Sequence, residues 1–338
     1  MRILGIESSC DDTAAAVLVD ARVASNVVAS QDDVHRKYGG VVPELASRSH
    51  LRNIVPVIDA ALSQAGVTLE AIDAIAATCG PGLVGSLLVG LSTAKAIAYA
   101  RSRPFVGVNH LEGHLLSVQI EDAVAFPYVA LLVSGGHTSL YYAEDVGHYR
   151  LLGATRDDAA GEAFDKVAKT MGLGYPGGRV IDELAQRGDP NAIRFSRARL
   201  KPWRNGKPSG TRFDFSFSGL KTAVWQYVRE HSIDGETAAA DVAASFQEAA
   251  VDMLLDTTFA ALSSVACTRL VIAGGVAANS RLRARARAIG ATLGVDVAVP
   301  PMRYCTDNAA MIALAGRYRL LRGESDPPSV NAVADLEL

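Results

Sequence analysis

The sequence predicts a two-lobed α/β protein whose second half repeats the fold of its first half. The chain has 338 residues, more than one hydrophobic core usually serves, so two domains or one duplicated domain are expected. Ala, Val, Leu and Gly dominate and aromatic residues make up 6% of the chain, which is typical of buried strands packed closely against helices. Each half opens with a buried strand, a short polar turn and a second strand. Two such hairpins indicate a duplicated fold that holds a nucleotide between its lobes.

Charge and cysteine content exclude several classes of protein. The formal net charge is −3, so no global basic surface is expected and a nucleic acid would meet a local patch. The four cysteines lie far apart without metal or disulfide-framework spacing, as reduced thiols of a cytoplasmic protein do. No apolar run reaches membrane-spanning length, and the first strand begins without a signal peptide. The sequence therefore predicts a cytoplasmic protein with no membrane segment.

The first hairpin joins strands at 2–7 and 14–19 through the turn SSCDDT at 8–13. Its backbone N–H groups, hydroxyls and carboxylates suit a phosphate or a metal-phosphate. Ser, Asp and Thr are equally common in ordinary polar turns, and for this motif alone the ordinary turn is favoured.

A third strand is predicted at 23–30, and an amphipathic helix at 44–65 follows it. Pro56 should kink or divide that helix. Arg48, His50 and Arg52 are interpreted as a solvated face.

The second hairpin joins strands at 128–133 and 139–143 through Ser134-Gly135-Gly136-His137-Thr138. Glycines let a backbone approach phosphate closely, so this turn is a candidate phosphate contact.

Two further strands run into glycine-rich turns that precede helices. The strand at 72–77 leads through Gly80-Pro81-Gly82 into a helix at 83–100. Such a turn can bind an anion, or it can be a tight turn for packing, and it lacks the Gly-Lys-Ser/Thr ending of a P-loop. The strand at 270–273 leads through Gly274-Gly275 to a helix that begins near Asn279, where an adenine or ribose could lie on the backbone.

Two histidines four residues apart, His110 and His114, follow a short strand at 104–108. On a helix this spacing places them on one face, with Cβ atoms roughly 5–6 Å apart, close enough to share a metal ion. Taken alone, two unrelated surface histidines are the favoured interpretation. Gly113 costs a helix about 1 kcal/mol relative to Ala, so something other than helix propensity determines this segment. Asp307, before a helix at 309–321, could be a third ligand, or Thr306 or Asp307 could be that helix's N-cap.

The segment 197–212 is basic and irregular. It carries six Lys or Arg residues, no acidic residue and Trp203. Basic and aromatic side chains on a loop suit RNA contact, but a plain solvated loop is about as well supported.

With these pieces placed, the chain closely resembles the TsaD family, also called Gcp and, in archaea and eukaryotes, the Kae-type proteins. The matching segments run from end to end: GIESSCDDT at 5–13, YGGVVPELASRSH at 38–50, CGPGLVGSLLVG at 79–90, NHLEGH at 109–114, LLVSGGHT at 131–138, DDAAGEAFDKVAK at 157–169, YPGGR at 175–179, DFSFSGLKTA at 214–223, IAGGVAAN at 272–279 and CTDNAAMIA at 305–313.

The resemblance implies an actin-like, duplicated ribonuclease-H-type fold with the nucleotide in a cleft between two lobes. The N-terminal lobe would comprise 1–108 and 307–325. The C-terminal lobe would comprise 109–306, with insertions at about 160–265.

The resemblance also implies an enzyme that transfers the threonylcarbamoyl group of threonylcarbamoyl-adenylate to tRNA. The acceptor would be N6 of adenosine 37, 3′ of the anticodon in tRNAs reading ANN codons, and the products N6-threonylcarbamoyladenosine and AMP. One Fe²⁺ or Zn²⁺ ion would be held by His110, His114 and Asp307. Residues implied to bind the adenylate are Leu132, Val133, Ser134, Gly135, Gly136, Asp165, Gly178, Asp182 and Asn279. Implied partners are tRNA, a TsaB-like paralogue and a TsaE-like ATPase.

One role is added by hypothesis, and two alternatives stay open. Asp11 is placed near N6 as a proton acceptor. A metallo-endopeptidase is disfavoured because Glu112 follows His110 by two residues, about 200° around a helix with roughly 100° per residue, and points away from the metal face. A non-catalytic actin-like nucleotide-binding partner is disfavoured because it would not need the two histidines and Asp307.

Overall fold

The structure, a computed structural model, describes residues 1–197, 211–231, 233 and 235–338, and the backbone of 203–204 and 207–208. The chain forms two compact units. Unit 1 comprises Met1–Val124 and Pro300–Leu338, and unit 2 comprises Ala125–Val299.

The N-terminal part of unit 1 contains five strands and four helices. The strands are β1 (Arg2–Glu7), β2 (Thr13–Val19), β3 (Arg22–Ala29), β4 (Ala74–Gly80) and β5 (Phe105–Asn109). The helices are α1 (Asp32–Arg36), α2 (Pro43–Ala65), α3 (Val84–Ala100) and α4 (His110–Leu116), with 3-10 turns at Leu69–Ala71 and Ser117–Gln119.

In the described residues, unit 2 contains seven strands and five helices. The strands are β6 (Tyr128–Val133), β7 (Thr138–Asp145), β8 (His148–Ala154), β9 (Trp203–Arg204), β10 (Lys207–Pro208), β11 (Arg269–Ala273) and β12 (Asp296–Ala298). The helices are α5 (Ala160–Thr170), α6 (Gly177–Ala185), α7 (Ser218–Glu230), α8 (Glu236–Ser264) and α9 (Ser280–Leu293), with a 3-10 turn at Gly275–Ala278. The chain then returns to unit 1 with a 3-10 turn at Met302–Tyr304 and helix α10 (Ala309–Leu321).

The two units contain sheets of the same topology. The first sheet has the order β3-β2-β1-β4-β5, and the second has the order β8-β7-β6-β11-β12. In each, three consecutive strands form an antiparallel meander, and the remaining two run parallel to its first strand. The predicted duplicated α/β architecture is therefore confirmed.

The described elements follow the predicted ones closely, with a few differences. α1, β8 and β12 were not predicted, nor were the paired two-residue strands β9 and β10 in the segment expected to be irregular; all of these are short or lack a clear period of apolar residues. Pro56 does not divide α2, which is one helix from Pro43 to Ala65.

The unit boundaries differ from the predicted lobes. Residues 109–124 and 300–306, expected in the C-terminal lobe, belong to unit 1. The physical reason is packing, because α4 lies against α10, and α10 in turn packs on β1, β2 and β4.

Alternation along β1 separates the two faces of the first sheet. Leu4 and Ile6 enter the hydrophobic core that includes Ile58 of α2 and Leu91 of α3. Gly5 faces α10 on the opposite side, where a Cβ atom would lie 2.4 Å from the carbonyl oxygen of Ala309. Helix and sheet thus touch backbone to backbone, which fixes where α10 begins.

Among the residues that the structure describes, no helix is both long enough and apolar enough to cross a membrane. The longest, α8, carries five acidic residues along its 29 positions.

Gly5→Ala should destabilise the protein by about 1–3 kcal/mol or more, because the added methyl meets backbone atoms of α10 that cannot move independently. The measurement is the free energy of unfolding in urea. Gly219→Ala is the matched control, since nothing lies within 4 Å of the Cβ position in α7, and it should be neutral or stabilising. Equal stability of the two variants would contradict the close approach.

Candidate functional site

Helix α4 begins at the C-terminal end of β5, where Asn109 is its N-cap. The Asn109 Oδ1 atom accepts hydrogen bonds from the N–H groups of Leu111 at 2.8 Å and Glu112 at 3.4 Å. Its Nδ2 donates to the Glu337 carbonyl oxygen at 3.0 Å. The side-chain amide of Asn109 therefore links the first turn of α4 to the backbone of Glu337.

Gly113 lies where α4 packs closely against side chains of α10. A Cβ atom there would lie 2.9 Å from Cδ1 of Ile312 and 3.2 Å from Cγ of Met311. The sequence left open why a glycine, which weakens a helix, occurs in this segment; the close approach of α10 suits a residue without a side chain there.

Asn308, rather than Thr306 or Asp307, is the N-cap of α10. Its Oδ1 accepts from the Met311 N–H at 3.1 Å, and its Nδ2 donates to the Thr306 carbonyl oxygen at 2.9 Å. Because Asn308 caps the helix, the Asp307 carboxylate is directed elsewhere, toward the two histidines of α4.

His110, His114 and Asp307 form what we call the candidate metal centre. One donor atom from each lies within 4.8 Å of the others. Asp307 Oδ1 lies 3.1 Å from His114 Nε2 and 3.6 Å from His110 Nε2. The imidazole rings are nearly perpendicular, at 86°, with centroids 4.7 Å apart. Both histidines are buried, and Asp307 is partly exposed.

This donor set fits a metal ion. Two ligand atoms bound tetrahedrally at about 2.0–2.1 Å from one ion are about 3.3 Å apart, close to the two observed separations. A hydrogen bond accounts for His114 and Asp307, but it does not account for His110 Nε2 at 3.6 Å from the same oxygen. Two imidazoles and one carboxylate could therefore hold an ion and leave positions open for a substrate.

The far side of His110 meets Glu7, a residue that the sequence analysis did not single out. Glu7 Oε2 lies 3.0 Å from His110 Nδ1 and accepts from Thr78 Oγ1 at 2.6 Å. Burial raises the pKa of Glu7, but His110 and Thr78 lower it by more. Burial lowers the pKa of His110, but the Glu7 and Asp307 carboxylates raise it by more, to about 9. In the sequence, the feature that could have pointed to Glu7 is a glutamate at the end of a buried strand, next to the polar turn at 8–13.

The turn at 8–13 is supported by His50, which is buried rather than solvated as predicted. Its Nδ1 lies 2.8 Å from Thr13 Oγ1, and its Nε2 lies 3.0 Å from the Cys10 carbonyl oxygen. The turn holds two carboxyl groups of raised pKa. Burial is the main cause for both, with the Asp307 carboxylate contributing: the pKa of Asp11 is raised, and the pKa of Asp12 rises to about 8.

The turn at Gly80-Pro81-Gly82 is a packing turn. Leu83 N–H donates to the Ser9 carbonyl oxygen at 2.8 Å, and Gly82 N–H donates to that of Ala334 at 3.1 Å. The chain's own carbonyls thus occupy amides that could have bound an anion.

The second hairpin turn, in unit 2, has open space above its glycines. A Cβ atom on Gly135 or Gly136 would have no neighbour within 4 Å. The turn is closed by Ser134, whose N–H donates to the His137 carbonyl oxygen at 2.8 Å and whose Oγ accepts from the His137 N–H at 3.1 Å. Leu132 and Val133 are fully buried in β6, so only their backbone could touch a ligand.

Two other glycines bring neighbouring segments against this turn. β6 and β11 pair in parallel, with Ala273 opposite Leu132, so both strands end at the same edge. Cβ atoms on Gly274 and Gly161 would lie 2.3 Å from the Val133 oxygen and 2.6 Å from the Ser134 oxygen. The edge where parallel strands end is the usual ligand position in such sheets.

The remaining predicted adenylate residues take part in internal hydrogen bonds. Asp165 Oδ1 accepts from the Gly177 N–H at 2.8 Å, at the start of α6. Asp182 accepts from Ser280 Oγ at 2.8 Å and Ser280 N at 3.1 Å. Asn279 caps α9 and donates to Gln247 at 2.7 Å. These contacts position the starts of α6 and α9, whereas Gly178 has open space at its Cβ position.

Asp157 and Asp158 hold the DFSFSG segment in place. Asp157 Oδ1 accepts from the Phe217 N–H at 2.8 Å at the start of α7. Asp158 pairs with Lys166, at 2.8 Å, and with Lys221. In unit 2, Asp157 and Asp158 thus hold the start of α7 in position.

The basic segment 197–212 falls largely outside the described residues. Of its basic side chains, the structure describes those of Arg197 and Arg212. Arg197 pairs with Asp252 at 2.6 Å, and Arg212 lies 4.6 Å from the Phe213 ring centroid.

Comparison with known proteins decides the family. The family model TsaD, tRNA N6-adenosine threonylcarbamoyltransferase, matches residues 22–314. The chain belongs to the TsaD family. Curated relatives named tRNA N6-adenosine threonylcarbamoyltransferase include one from Anaeromyxobacter dehalogenans (strain 2CP-C), 58% identical over 98% of both chains. Another, from Salinibacter ruber (strain DSM 13855 / M31), is 53% identical over 100% of both chains. The predicted family and enzyme class, a transferase, are confirmed for this TsaD-family chain.

Solved structures support the actin-like fold. Full-length HypF, in a phosphate- and nucleotide-bound form, has a TM-score of 0.64 at 12% identity and covers 94% of this chain and 46% of its own. Component A of (R)-2-hydroxyglutaryl-CoA dehydratase from Acidaminococcus fermentans has a TM-score of 0.55 at 14% identity and covers 93% and 96%.

Metal binding by the TsaD-family chain should strengthen as pH rises. With a pKa of about 9, His110 is protonated at neutral pH in the metal-free protein, and a ligating nitrogen must lose that proton. The Kd for Zn²⁺ should fall by up to about tenfold per pH unit between pH 6.5 and 8.5. Titration calorimetry in buffers of different ionisation enthalpy should show about one proton released per ion at pH 7. A Kd independent of pH would contradict this ionisation.

Proposed function

We propose that this TsaD-family chain transfers the threonylcarbamoyl group from threonylcarbamoyl-adenylate to N6 of adenosine 37 in tRNAs reading ANN codons. The products are N6-threonylcarbamoyladenosine and AMP. The convergence of His110, His114 and Asp307 carries the proposal, in a chain 58% identical to a named tRNA N6-adenosine threonylcarbamoyltransferase. Two imidazoles and a carboxylate are ligands that suit Fe²⁺ or Zn²⁺.

The residues of unit 1 would hold the ion and the reacting end of the substrate. A metal ion bound there would supply a Lewis acid that polarises the carbamoyl carbonyl or grips the threonyl carboxylate or the phosphate. The burial of His110 and His114 excludes water from two of the three ligands, whereas the partly exposed Asp307 marks the open side.

The turn of unit 2 would hold the adenylate. Gly135 and Gly136 offer a backbone surface that a phosphate can approach without meeting a side chain. Leu132, Val133 and Ser134 would contribute main-chain groups. Asp165 lies in the middle of α5, Gly178 and Asp182 lie in the first and last turns of α6, and Asn279 is the N-cap of α9; these four residues would line the nucleoside part.

Asp11 would accept the proton of the acceptor amine. The N6 nitrogen forms a bond to the carbamoyl carbon, the bond from that carbon to the phosphate oxygen breaks, and AMP leaves with the electron pair. N6 must lose one proton, and a carboxylate whose pKa is raised by burial is a better base for it than an exposed one.

The proposed protein partners are a TsaB-like paralogue and a TsaE-like ATPase, acting with the chain in the cytoplasm. Helices α2 and α3 offer a surface for another protein. Gly85 of α3 approaches Ser47 of α2, and the exposed apolar residues near this crossing are Leu51, Val55, Val84 and Leu88. Exposed apolar groups of this kind mark protein interfaces.

The two alternatives have less support. In a zinc peptidase of the H-E-x-x-H type, the glutamate must reach the metal-bound water. Glu112 is instead buried within α4 and lies in electrostatic range of Arg322. A non-catalytic nucleotide-binding partner would leave the convergence of His110, His114 and Asp307 unexplained.

The deciding experiment is a transfer assay with threonylcarbamoyl-adenylate, tRNA, the metal ion and the two partner proteins. Nucleoside analysis by mass spectrometry should detect N6-threonylcarbamoyladenosine, and His110→Ala should reduce its formation by at least about 100-fold because a ligand is lost. His148→Ala, at an exposed residue of β8, is the matched control and should retain activity. Absence of product with the unaltered chain, or equal product with His110→Ala, would refute the transferase mechanism. Omitting each partner in turn tests whether it is required.

Asp11→Asn should keep adenylate binding and lose transfer by about 10²–10⁴-fold, because an amide cannot accept the N6 proton. Binding is measured by calorimetry with a non-hydrolysable adenylate analogue, and transfer by single-turnover product formation. Asp33→Asn, at an exposed position of α1, is the control. Unchanged turnover in Asp11→Asn would exclude the role as base.

A further inference from the structure

Glu7, the last residue of β1, is a fully buried carboxylate behind the candidate metal centre. Its Oε1 accepts from the Ser9 N–H at 2.5 Å, and its Oε2 accepts from Thr78 Oγ1 at 2.6 Å. The same Oε2 lies 3.0 Å from His110 Nδ1. A carboxylate without partners in such a position would be costly, so these donors hold it in one orientation.

The position of Glu7 decides which ring nitrogen of His110 carries a proton when the ring is neutral. An ionised carboxylate only accepts hydrogen bonds, so a ring nitrogen at 3.0 Å must be the N–H donor. Ser9 Oγ, 3.2 Å from the same Nδ1, can accept as well. Nε2 then carries the lone pair, and it is the nitrogen that lies near Asp307 Oδ1.

His114 differs in this respect. Its Nε2 also lies near Asp307, but within the described part of the chain its buried Nδ1 has no hydrogen-bond partner. Glu7 of β1 therefore contacts a ring nitrogen of His110 and not one of His114.

We propose that Glu7 is a positioning residue of the candidate metal centre, which holds His110 in the tautomer and ring orientation that present Nε2 to the ion. The inference rests on the metal-binding part of the proposed function and extends it to a residue that touches neither ion nor substrate. Ligating histidines commonly donate their other N–H to a carboxylate, and loss of that partner lowers metal affinity by roughly 10–100-fold.

Glu7→Gln tests the inference with little change in volume. The amide must still accept from Ser9 N–H through its oxygen, which turns its NH₂ group toward Thr78 and His110. An NH₂ group that faces His110 Nδ1 favours the tautomer protonated at Nε2, and in that tautomer Nε2 has no lone pair for the ion. The Kd for Zn²⁺, measured on the full chain by competition with a chromophoric chelator, should rise by roughly 10–100-fold.

Ser25→Ala is the matched control, because it removes buried hydrogen bonds of unit 1 away from the centre. Ser25 Oγ donates to the Ala61 carbonyl oxygen at 2.7 Å and accepts from the Val17 N–H at 3.2 Å. Its Zn²⁺ affinity should equal that of the unaltered chain even where its Tm falls. A folded Glu7→Gln variant with unaltered affinity would overturn the role of Glu7 and leave the three ligands standing. Failure of the unaltered chain to bind Zn²⁺ would overturn the metal centre itself.

A second measurement decides the matter if Glu7→Gln does not fold. In the Zn²⁺-loaded chain labelled with ¹⁵N-histidine, NMR should detect a proton on Nδ1 of His110, protected from exchange, and Nε2 as the ligating nitrogen. Ligation through Nδ1 would overturn the inference.

Discussion

The close contact between α10 and the first sheet is the constraint on which the rest of unit 1 depends. At Gly5 the helix and β1 approach until no side chain fits between them, and Gly316 meets Ala76 of β4 in the same way. Small residues at these points let backbones touch, so the helix cannot slide or tilt without a clash. Asp307 lies two residues before this anchored helix, and Gly113 lets α4 lie against it. One packing contact thus brings together three ligands from two distant segments.

The candidate metal centre is also held by buried polar groups. Glu7, Thr78 and His110 come from β1, β4 and α4, and these buried groups satisfy one another's hydrogen bonds. His50 does the same for the neighbouring turn, which it joins to α2. Removing one partner of a buried hydrogen bond destabilises the folded protein, because the other polar group is left buried and unpaired. The network therefore gives the centre one geometry, at the expense of tolerance to substitution.

Duplication gave the two units the same strand order but different turns after the first strand. In unit 1 the turn is rich in carboxylates and hydroxyls, and a buried histidine supports it. In unit 2 it carries two adjacent glycines with open space at both Cβ positions. Carboxylates suit cations and protons, whereas exposed glycine backbone suits phosphate. The same hairpin thus supports two kinds of chemistry, according to the side chains at its tip.

Local patterns in the sequence determined most of the helices and strands, both hairpins and the histidine pair, because periodicity and turn chemistry depend on near neighbours. They offered Asp307 only as one of two possibilities, a third ligand or a helix N-cap, and the family resemblance favoured its link to His114, 193 residues away. The tertiary structure decided that His50 is buried, that Gly80-Pro81-Gly82 is a packing turn, and that α4 belongs to unit 1. It also decided what Glu7 contacts. Each of these depends on contacts between residues far apart in the chain, which leave no pattern in the residues beside them.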